Sequence, residues 1–518
     1  MPESVFTFAD NEEREICAFL RDPASYGLGG ERVDVVETHI ARVFLVGEDA
    51  YKLRKRVHLR FVDFSTLHAR HAAAVREMEI NRPHAPGIYL GLVPIMRDEG
   101  RLQLGGRGEI VEWTVHMRRF PQEAVLSHRE EQGPLSDDLA KSLADMIARY
   151  HQDSPIAEAC DGARIMASVV EQLSAALAYG HAEVADRLAA AFERSQAMLV
   201  ERGNAGCVRR CHGDLHLGNI VLIDNVPVPF DALEFSEALA TIDVLYDLAF
   251  LLMDLDVRGD RQAANAVFNT YVAFEPVGGE IEGLVCLPLF LACRAGVRAV
   301  VAMARTEQLE EREHAALRAE IRRNAALAGA YLAPARPVLI AIGGLSGTGK
   351  STLAAALAAH VGSAPGALHV RSDVERKRLF GVPETQRLER QHYRIGTAQR
   401  VYSIVEDKAR RALEAGHPVI VDAVFAKEDE RVAIEVIARE AGCEFVGLWL
   451  AAPPATLIAR VEARRDDASD ADRRVVREQL SYDLGNIVWT HVGAAGTPEQ
   501  SLAEARQALI AVGIALAD

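Results

Sequence analysis

The 518-residue chain is poor in cysteine, has no long uncharged apolar run, and carries no block of consecutive lysines or arginines. Seven scattered cysteines make no disulfide framework. Cys207 and Cys211 precede His212, but their gap is one residue too long for haem attachment and no second metal-ligand pair lies nearby. They read as buried thiols. The two most apolar stretches, 247–255 and 285–304, are respectively closed by Asp254 and interrupted by Arg294 and Arg298, so both read as buried helices rather than membrane spans. Those two arginines, one turn apart, suit internal salt bridges or an anionic acceptor group. The first twenty residues place acids where a signal peptide has a positive segment. The cytoplasm is the simplest location. A net charge of -16 gives no overall attraction to a phosphate backbone, and no aromatic-basic stacking surface stands out. General nucleic-acid binding is therefore disfavoured.

What is present is an ordinary globular composition, 49% apolar and 25% charged. The length suggests roughly three domains or lobes. Two β-rich runs, 41–47 and 50–55, flank GEDA and predict a hairpin. A helix is expected over 65–82 after Ser65 or Thr66, with strands at 91–96 and 109–120. From Ser136 to about Leu199 the chain reads as helical, a strand-loop-strand unit occupies 208–235, and helices resume from Ile242 to Tyr331. Two prolines in 332–338 mark a boundary. Beyond it, strands and helices alternate as in an open parallel α/β sheet.

That last region holds Gly344-Leu-Ser-Gly347-Thr-Gly349-Lys350-Ser351-Thr352 between an apolar strand and a helix. This is a complete P-loop: glycines let backbone N–H groups converge on phosphate oxygens, Lys350 reaches the outer phosphates and Ser351 offers a hydroxyl to Mg²⁺. Asp373 and Arg376, one turn apart in RSDVERKR, suit a carboxylate taking a proton from an attacking hydroxyl and an arginine holding acceptor or phosphate. A helix-capping aspartate beside a surface arginine is the alternative. Asp422 ends a strand, where such sheets collect ligands, and suits Mg²⁺ through water or the acceptor. Arg460 and Arg464 are expected on one helical face before an acidic stretch, as lid arginines or as a solvated helix end.

The second motif is His212-Gly213-Asp214-x-x-x-x-Asn219, followed by Asp231 at a strand end. Phosphoryl transfer to a hydroxyl needs a carboxylate near the attacking oxygen, which Asp214 supplies, and oxygen ligands for Mg²⁺, which Asn219 and Asp231 supply. Upstream, Lys52 suits a nucleotide-phosphate lysine and Glu77 its partner, with Arg54, Lys55 and Glu79 as competitors and a solvated charged hairpin as the alternative. No G-x-G-x-x-G loop joins the first strands, only VGEDA with Gly47.

The C-terminal motifs resemble small P-loop kinases that include gluconate kinase, the zeta-toxin kinases and phage polynucleotide kinase, over about the last 180 residues. That resemblance implies Asp373 as general base, Arg376 as acceptor clamp and Arg464 as lid arginine. The run 211–220 with FDALEF resembles aminoglycoside phosphotransferases and related choline- and sugar-kinase-like enzymes over approximately 30–300, and implies that Asp247 braces the catalytic loop, with a helix cap as the alternative. The whole arrangement resembles bacterial bifunctional aminoglycoside phosphotransferase/ATP-binding proteins.

The expected fold is an α+β protein-kinase-like bilobal domain over 1–333 (small lobe about 1–112, large lobe about 121–333), then an α/β P-loop NTPase domain with a parallel sheet over 334–518. The expected function is ATP- and Mg²⁺-dependent phosphotransfer to a hydroxyl of a small molecule, with one or two active sites. A nucleic-acid-end kinase and a nucleotide-binding regulatory protein with one catalytic module are the alternatives.

Overall fold

The computed structural model describes residues 11–517 apart from 30–31, 39, 60–61, 130–132, 159–160, 307–313, 334–335 and 465–466. The boundary expected at Pro334, and the first ten residues of the N-terminal segment, lie outside the described residues. The chain forms two compact units. One comprises Met1–Pro134, Arg149–Glu158 and Val208–Leu251; the other comprises Leu135–Ala148, Ala159–Cys207 and Leu252–Asp518.

The chain opens with helix α1 (Asn11–Arg21), strands β1 (Asp34–Glu37), β2 (Ala41–Val46), β3 (Asp49–Arg54), β4 (His58–Leu59) and β5 (Val62–Asp63), and helix α2 (Leu67–Asn81). Strands β6 (Tyr89–Asp98), β7 (Arg101–Leu104) and β8 (Glu109–Arg118) follow. Six of these strands form an antiparallel sheet in the order β1-β2-β3-β8-β6-β7. The predicted hairpin is β2–β3, with Lys52 opposite Val43 on one side and Val115 on the other. Strand alternation sends Tyr51 and Leu53 towards α1, where Ile16 and Leu20 are fully buried with Phe44 and Ile95. Lys52 and Arg54 share the opposite face, towards α2. The predicted helix begins at its Thr66 cap, whose side chain accepts from Ala69 N at 3.2 Å.

Helices α3 (Asp137–Asp153) and α4 (Gly162–Asn204) come next. Then come β9 (Val208–Arg210), the hairpin β10 (Ile220–Ile223) and β11 (Val226–Pro229), α5 (Glu237–Ala240), β12 (Thr241–Asp243) and α6 (Val244–Val257). The helix expected from Ile242 starts two residues later, because Thr241–Asp243 pairs antiparallel with β9 and Asp243 then accepts from Leu245 N at 2.8 Å. Helices α7 (Arg261–Phe274), α8 (Leu287–Thr306) and α9 (His314–Tyr331) complete this region. Among the described residues one stretch, Glu282–Thr306, is long and apolar enough to cross a membrane by length and composition, yet 67% of its most apolar window is buried within the molecule. Arg298 pairs with Asp254 at 2.9 Å, the internal salt bridge expected of it.

The remaining elements are β13 (Val338–Gly343), α10 (Lys350–Ala358), β14 (Leu368–Arg371), α11 (Ser372–Leu379), α12 (Ile395–Glu414), β15 (Val419–Asp422) and α13 (Glu428–Glu440). After them come β16 (Glu444–Ala451), α14 (Pro454–Ala463), α15 (Arg473–Gln479), β17 (Thr490–Gly493) and α16 (Pro498–Ala511). Five strands form a parallel sheet in the order β14-β15-β13-β16-β17. All six residues of β13 are buried, as a central strand covered on both faces requires. The edge strand β17 went unpredicted, since only Val492 of its four residues is buried. Arg464 departs from expectation: α14 ends at Ala463 and Arg464 is extended (φ -64°, ψ 139°), so it does not share a helical face with Arg460. Arg460 instead donates to Ala494 O and Gly496 O.

Candidate functional site

In the first unit the buried face of β3 meets α2. Lys52 Nζ lies 2.8 Å from Glu77 Oε1 and 2.5 Å from Asp231 Oδ1. Arg54 bridges Glu77 and Glu234, at 2.5 Å from each. Lys52, Arg54 and Lys55 are all at most 9% exposed, which rules out a solvated charged hairpin. Helix periodicity separates the two glutamates: Glu77 faces inward, whereas Glu79 pairs with Arg76 on the exposed side. Burial disfavours the Lys52 ammonium, but Asp231, Glu77 and Glu234 outweigh it and hold the pKa well above the ordinary lysine value. For Asp231 burial likewise pulls upward, and Lys52 more than offsets it, keeping the carboxyl below the usual range.

The motif residues 212–219 form a loop beside this network. Asp247 accepts from the backbone of His212 at 3.1 Å and Gly213 at 2.9 Å, and His151 Nε2 donates to the same carboxylate at 3.2 Å. That is the bracing contact the resemblance implied. Gly213 has φ +85°, and a Cβ there would sit 3.1 Å from Leu233 Cβ and 3.2 Å from Ala240 Cβ. A side chain at this position would be strained and crowded at once. Asn219 Nδ2 donates to Asp214 Oδ2 at 2.9 Å, which leaves the Asn219 carbonyl oxygen as a hard ligand atom. Asp231 adopts a left-handed conformation (φ +59°), fixed by Tyr89 Oη accepting from its backbone N at 3.0 Å and by Asn81 Oδ1 accepting from Ala232 N at 2.8 Å. Sequence reasoning missed Asn81, Tyr89 and Glu234, and named Arg54 only as a competitor of Lys52. Arg54 and Asn81 had a signal, being two residues along the strand from Lys52 and one turn along the helix from Glu77.

In the second unit a cavity of about 1130 Å³ is lined by Gly347, Gly349, Lys350, Ser351, Thr352, Asp373, Arg376, Asp422 and Arg464. Gly344 shapes the loop from outside that lining. Its φ is +140°, and a Cβ there would lie 2.6 Å from Leu450 O. Gly347 is equally constrained, with φ +88° and a hypothetical Cβ 2.6 Å from Leu457 O. Ser351 Oγ is 3.2 Å from Asp422 Oδ1. These two oxygens, at the start of α10 and the end of β15, are a hard donor pair of the kind that fits Mg²⁺. Burial lowers the Lys350 pKa against the pull of Asp422 and Asp373. It raises that of Asp373 against a hydrogen bond from Ser469.

Arg376 stacks over the Tyr393 ring at 4.7 Å and donates to His392 O at 3.2 Å. Asp470 accepts from Lys377 Nζ at 2.7 Å, Tyr393 Oη at 2.6 Å and Leu388 N at 2.9 Å, tying together segments that line the cavity. Gln479 Oε1 accepts from the P-loop amide Ser346 N at 2.7 Å. Neither Asp470 nor Gln479 was anticipated, because each acts through partners more than 75 positions away.

A P-loop on a parallel sheet and a braced His-Gly-Asp loop beside a Lys-Glu pair together define a kinase-type phosphotransferase. Residues 36–280 match the phosphotransferase enzyme family, and residues 339–482 match a family described as an AAA domain. An uncharacterized protein of Mycobacterium tuberculosis is 30% identical over 493 residues, covering 91% of this chain and 94% of its own. The chain belongs to the same family as this relative, with a phosphotransferase-family domain followed by an AAA-family, P-loop kinase-like domain. Similar solved structures include a choline/ethanolamine kinase family protein from Mesorhizobium loti (14% identity, TM-score 0.39, 62% of this chain and 95% of that one). A gluconokinase from Sinorhizobium meliloti is another (20% identity, TM-score 0.26, 34% and 93%).

Proposed function

We propose that the protein is an ATP- and Mg²⁺-dependent phosphotransferase acting on a hydroxyl of a small molecule, with one active site in each module. The observation that carries this reading is the gathering of Lys350, Ser351, Asp373, Asp422 and Arg464 around one cavity, far apart though they are in sequence. In that site the P-loop amides and Lys350 hold the nucleotide phosphates. Asp373 takes the proton from the acceptor hydroxyl as its oxygen bonds to the terminal phosphorus and the bond to the ADP oxygen breaks. Arg376 clamps the acceptor and Arg464 faces the charge on the transferred group. Ser351 and Asp422 would hold Mg²⁺, which when bound would offset negative charge on the phosphates.

In the first module Asp214 is the base, Asn219 and Asp231 the metal ligands, and Lys52, oriented by Glu77, the phosphate contact. We put the domain boundary near residue 333, a reading supported by its lying in the gap between the two family matches. The six described cysteines are thiols, which supports a reducing, cytoplasmic setting.

The test is ATP turnover against sugars, aminoglycosides, amino alcohols and nucleosides, with wild type, Asp214→Ala and Lys350→Ala in parallel. Two functional sites predict an acceptor-stimulated rate lost on Asp214→Ala and a separate one lost on Lys350→Ala, each by at least about a hundredfold. Turnover that no acceptor stimulates, with ATP binding lost only on Lys350→Ala, reduces the protein to one nucleotide-binding module beside a kinase-shaped partner.

A further inference from the structure

We propose that His369 is a positioning residue of the P-loop site, and that helix α7, from the phosphotransferase-family part of the chain, completes that site through it. This rests on the reading of Ser351 and Asp422 as the metal pair.

Strand β14 is an edge of the parallel sheet. Its outward N–H and C=O groups need partners, and an unprotected edge invites pairing with another chain. Helix α7 supplies those partners with two asparagines one turn apart. Asn265 Nδ2 donates to Pro365 O at 3.0 Å and Ala367 O at 3.1 Å, and Asn269 Nδ2 donates to Ala367 O at 3.2 Å. In return His369 N donates to Asn269 Oδ1 at 2.6 Å. The side-chain amides thus replace a missing neighbouring strand. Asparagine is a poor helix former, so propensity gives no reason for two in the middle of α7.

The seam is tight and continues beyond these residues. Arg261 donates to Ala359 O and to Gly362 O, at 2.5 and 2.6 Å. Gly366, at φ +102°, lies so close that a Cβ would be 2.8 Å from Asn265 Nδ2. Glu275 and Glu282 pair with Lys408 and Arg411 of α12, at 2.9 and 2.5 Å.

His369 faces both ways. Its backbone is held by Asn269, and its Nε2–H donates to Asp422 Oδ2 at 2.7 Å, with both side chains under 8% exposed. The other carboxylate oxygen of Asp422 accepts from Ser351 Oγ at 3.2 Å. One contiguous line therefore runs Asn269–His369–Asp422–Ser351. A carboxylate can rotate about its Cβ–Cγ bond, and a donor fixed on one oxygen sets where the other points. Outer partners of this kind are worth about ten- to a hundredfold in metal affinity.

The experiment uses the full chain and measures Mn²⁺ binding to its ADP complex by electron paramagnetic resonance, together with the Mg²⁺ dependence of fluorescent-ATP binding. Lys350→Ala defines the contribution of the P-loop site. His369→Leu is expected to raise the half-saturating metal concentration at that site about tenfold. His369→Gln, whose amide reaches Asp422 much as Nε2 does, is expected to restore it to within about twofold of wild type. Asn269→Leu should shift it in the same direction as His369→Leu, by a smaller factor. In turnover the His369→Leu effect should fall on the KM for Mg²⁺ more than on kcat at saturating metal.

If His369→Leu does not fold, His369→Asn, whose amide stops short of Asp422, takes its place. Unaltered metal binding in that variant, or a His369→Gln shift as large as the Leu shift, overturns the proposal. A wild-type chain without Lys350-dependent nucleotide binding overturns the functional reading and this inference together.

Discussion

Lys52 and Lys350 are assigned the same task, yet their surroundings are opposite. Lys52 sits between Glu77 and Asp231 at 2.8 and 2.5 Å, with Arg54 bound to the same Glu77, and its pKa is driven up. Lys350 donates to the carbonyl of Leu345 at 3.2 Å, and burial drives its pKa down despite Asp422 and Asp373. In one site the fold itself neutralises the cation. In the other, the glycine loop aims the cation and several amides at a cavity. The first site is therefore bound up with the stability of its unit, while the second, on the proposed reading, is chiefly a recognition surface whose charge a ligand's phosphates compensate.

The sharpest way to break this comparison is to truncate both lysines. Lys52→Ala leaves the buried Glu77 with Arg54 alone and the half-exposed Asp231 without its lysine, and should destabilise the first unit by about 1–3 kcal/mol. Lys350→Ala should change unfolding little and abolish nucleotide binding by the second unit. Urea unfolding of both variants beside wild type decides it, and equal losses would erase the distinction.

A second difference concerns acid. His417 is buried in the second unit, its Nε2–H donating to Gly366 O at 3.0 Å, and burial lowers its pKa from 6.5 to about 4. Between those values the unfolded chain binds more protons than the folded one. Stability contributed by this group is thus complete above about pH 6.5 and lost as pH falls towards 4, a total of about 3 kcal/mol. His417→Gln keeps a donor and cannot protonate, so the second unit should lose correspondingly less stability between pH 7 and 4.5. His212 in the first unit is also held low by burial, so acid sensitivity there should persist in this variant. The smallest expected effect is local. Thr66→Ala removes the cap of α2, the helix that carries Glu77, and should cost about 1 kcal/mol in the first unit alone.

Legibility followed the locality of the chemistry. The P-loop was readable because its glycines, lysine and serine must be near neighbours for adjacent amides to converge on one phosphate. The His-Gly-Asp loop and Asp231 were readable for a similar reason, since one turn and one hairpin carry them all. Choosing Lys52 over Arg54 and Lys55 was harder, because β3 places Lys52 and Arg54 on one face, both pair with Glu77, and only the second partner, Asp231 or Glu234, separates them. Arg464 was misplaced relative to Arg460 because its helix stops one residue short of it. Asp470, Gln479 and His369 left no local pattern at all.

By itself the sequence determined the P-loop and the His-Gly-Asp run, the β-rich start, the parallel sheet and the acids proposed for each site. Each of these is written in residue spacing along a single strand, helix or turn. The tertiary structure alone decided that β14 is an edge covered by asparagines from α7, that Asp470 ties two loops together, and that one lysine is locked by carboxylates while the other is not. Those outcomes depend on which groups meet after chain segments some 75–180 residues apart are brought together, and on how much water burial removes from them.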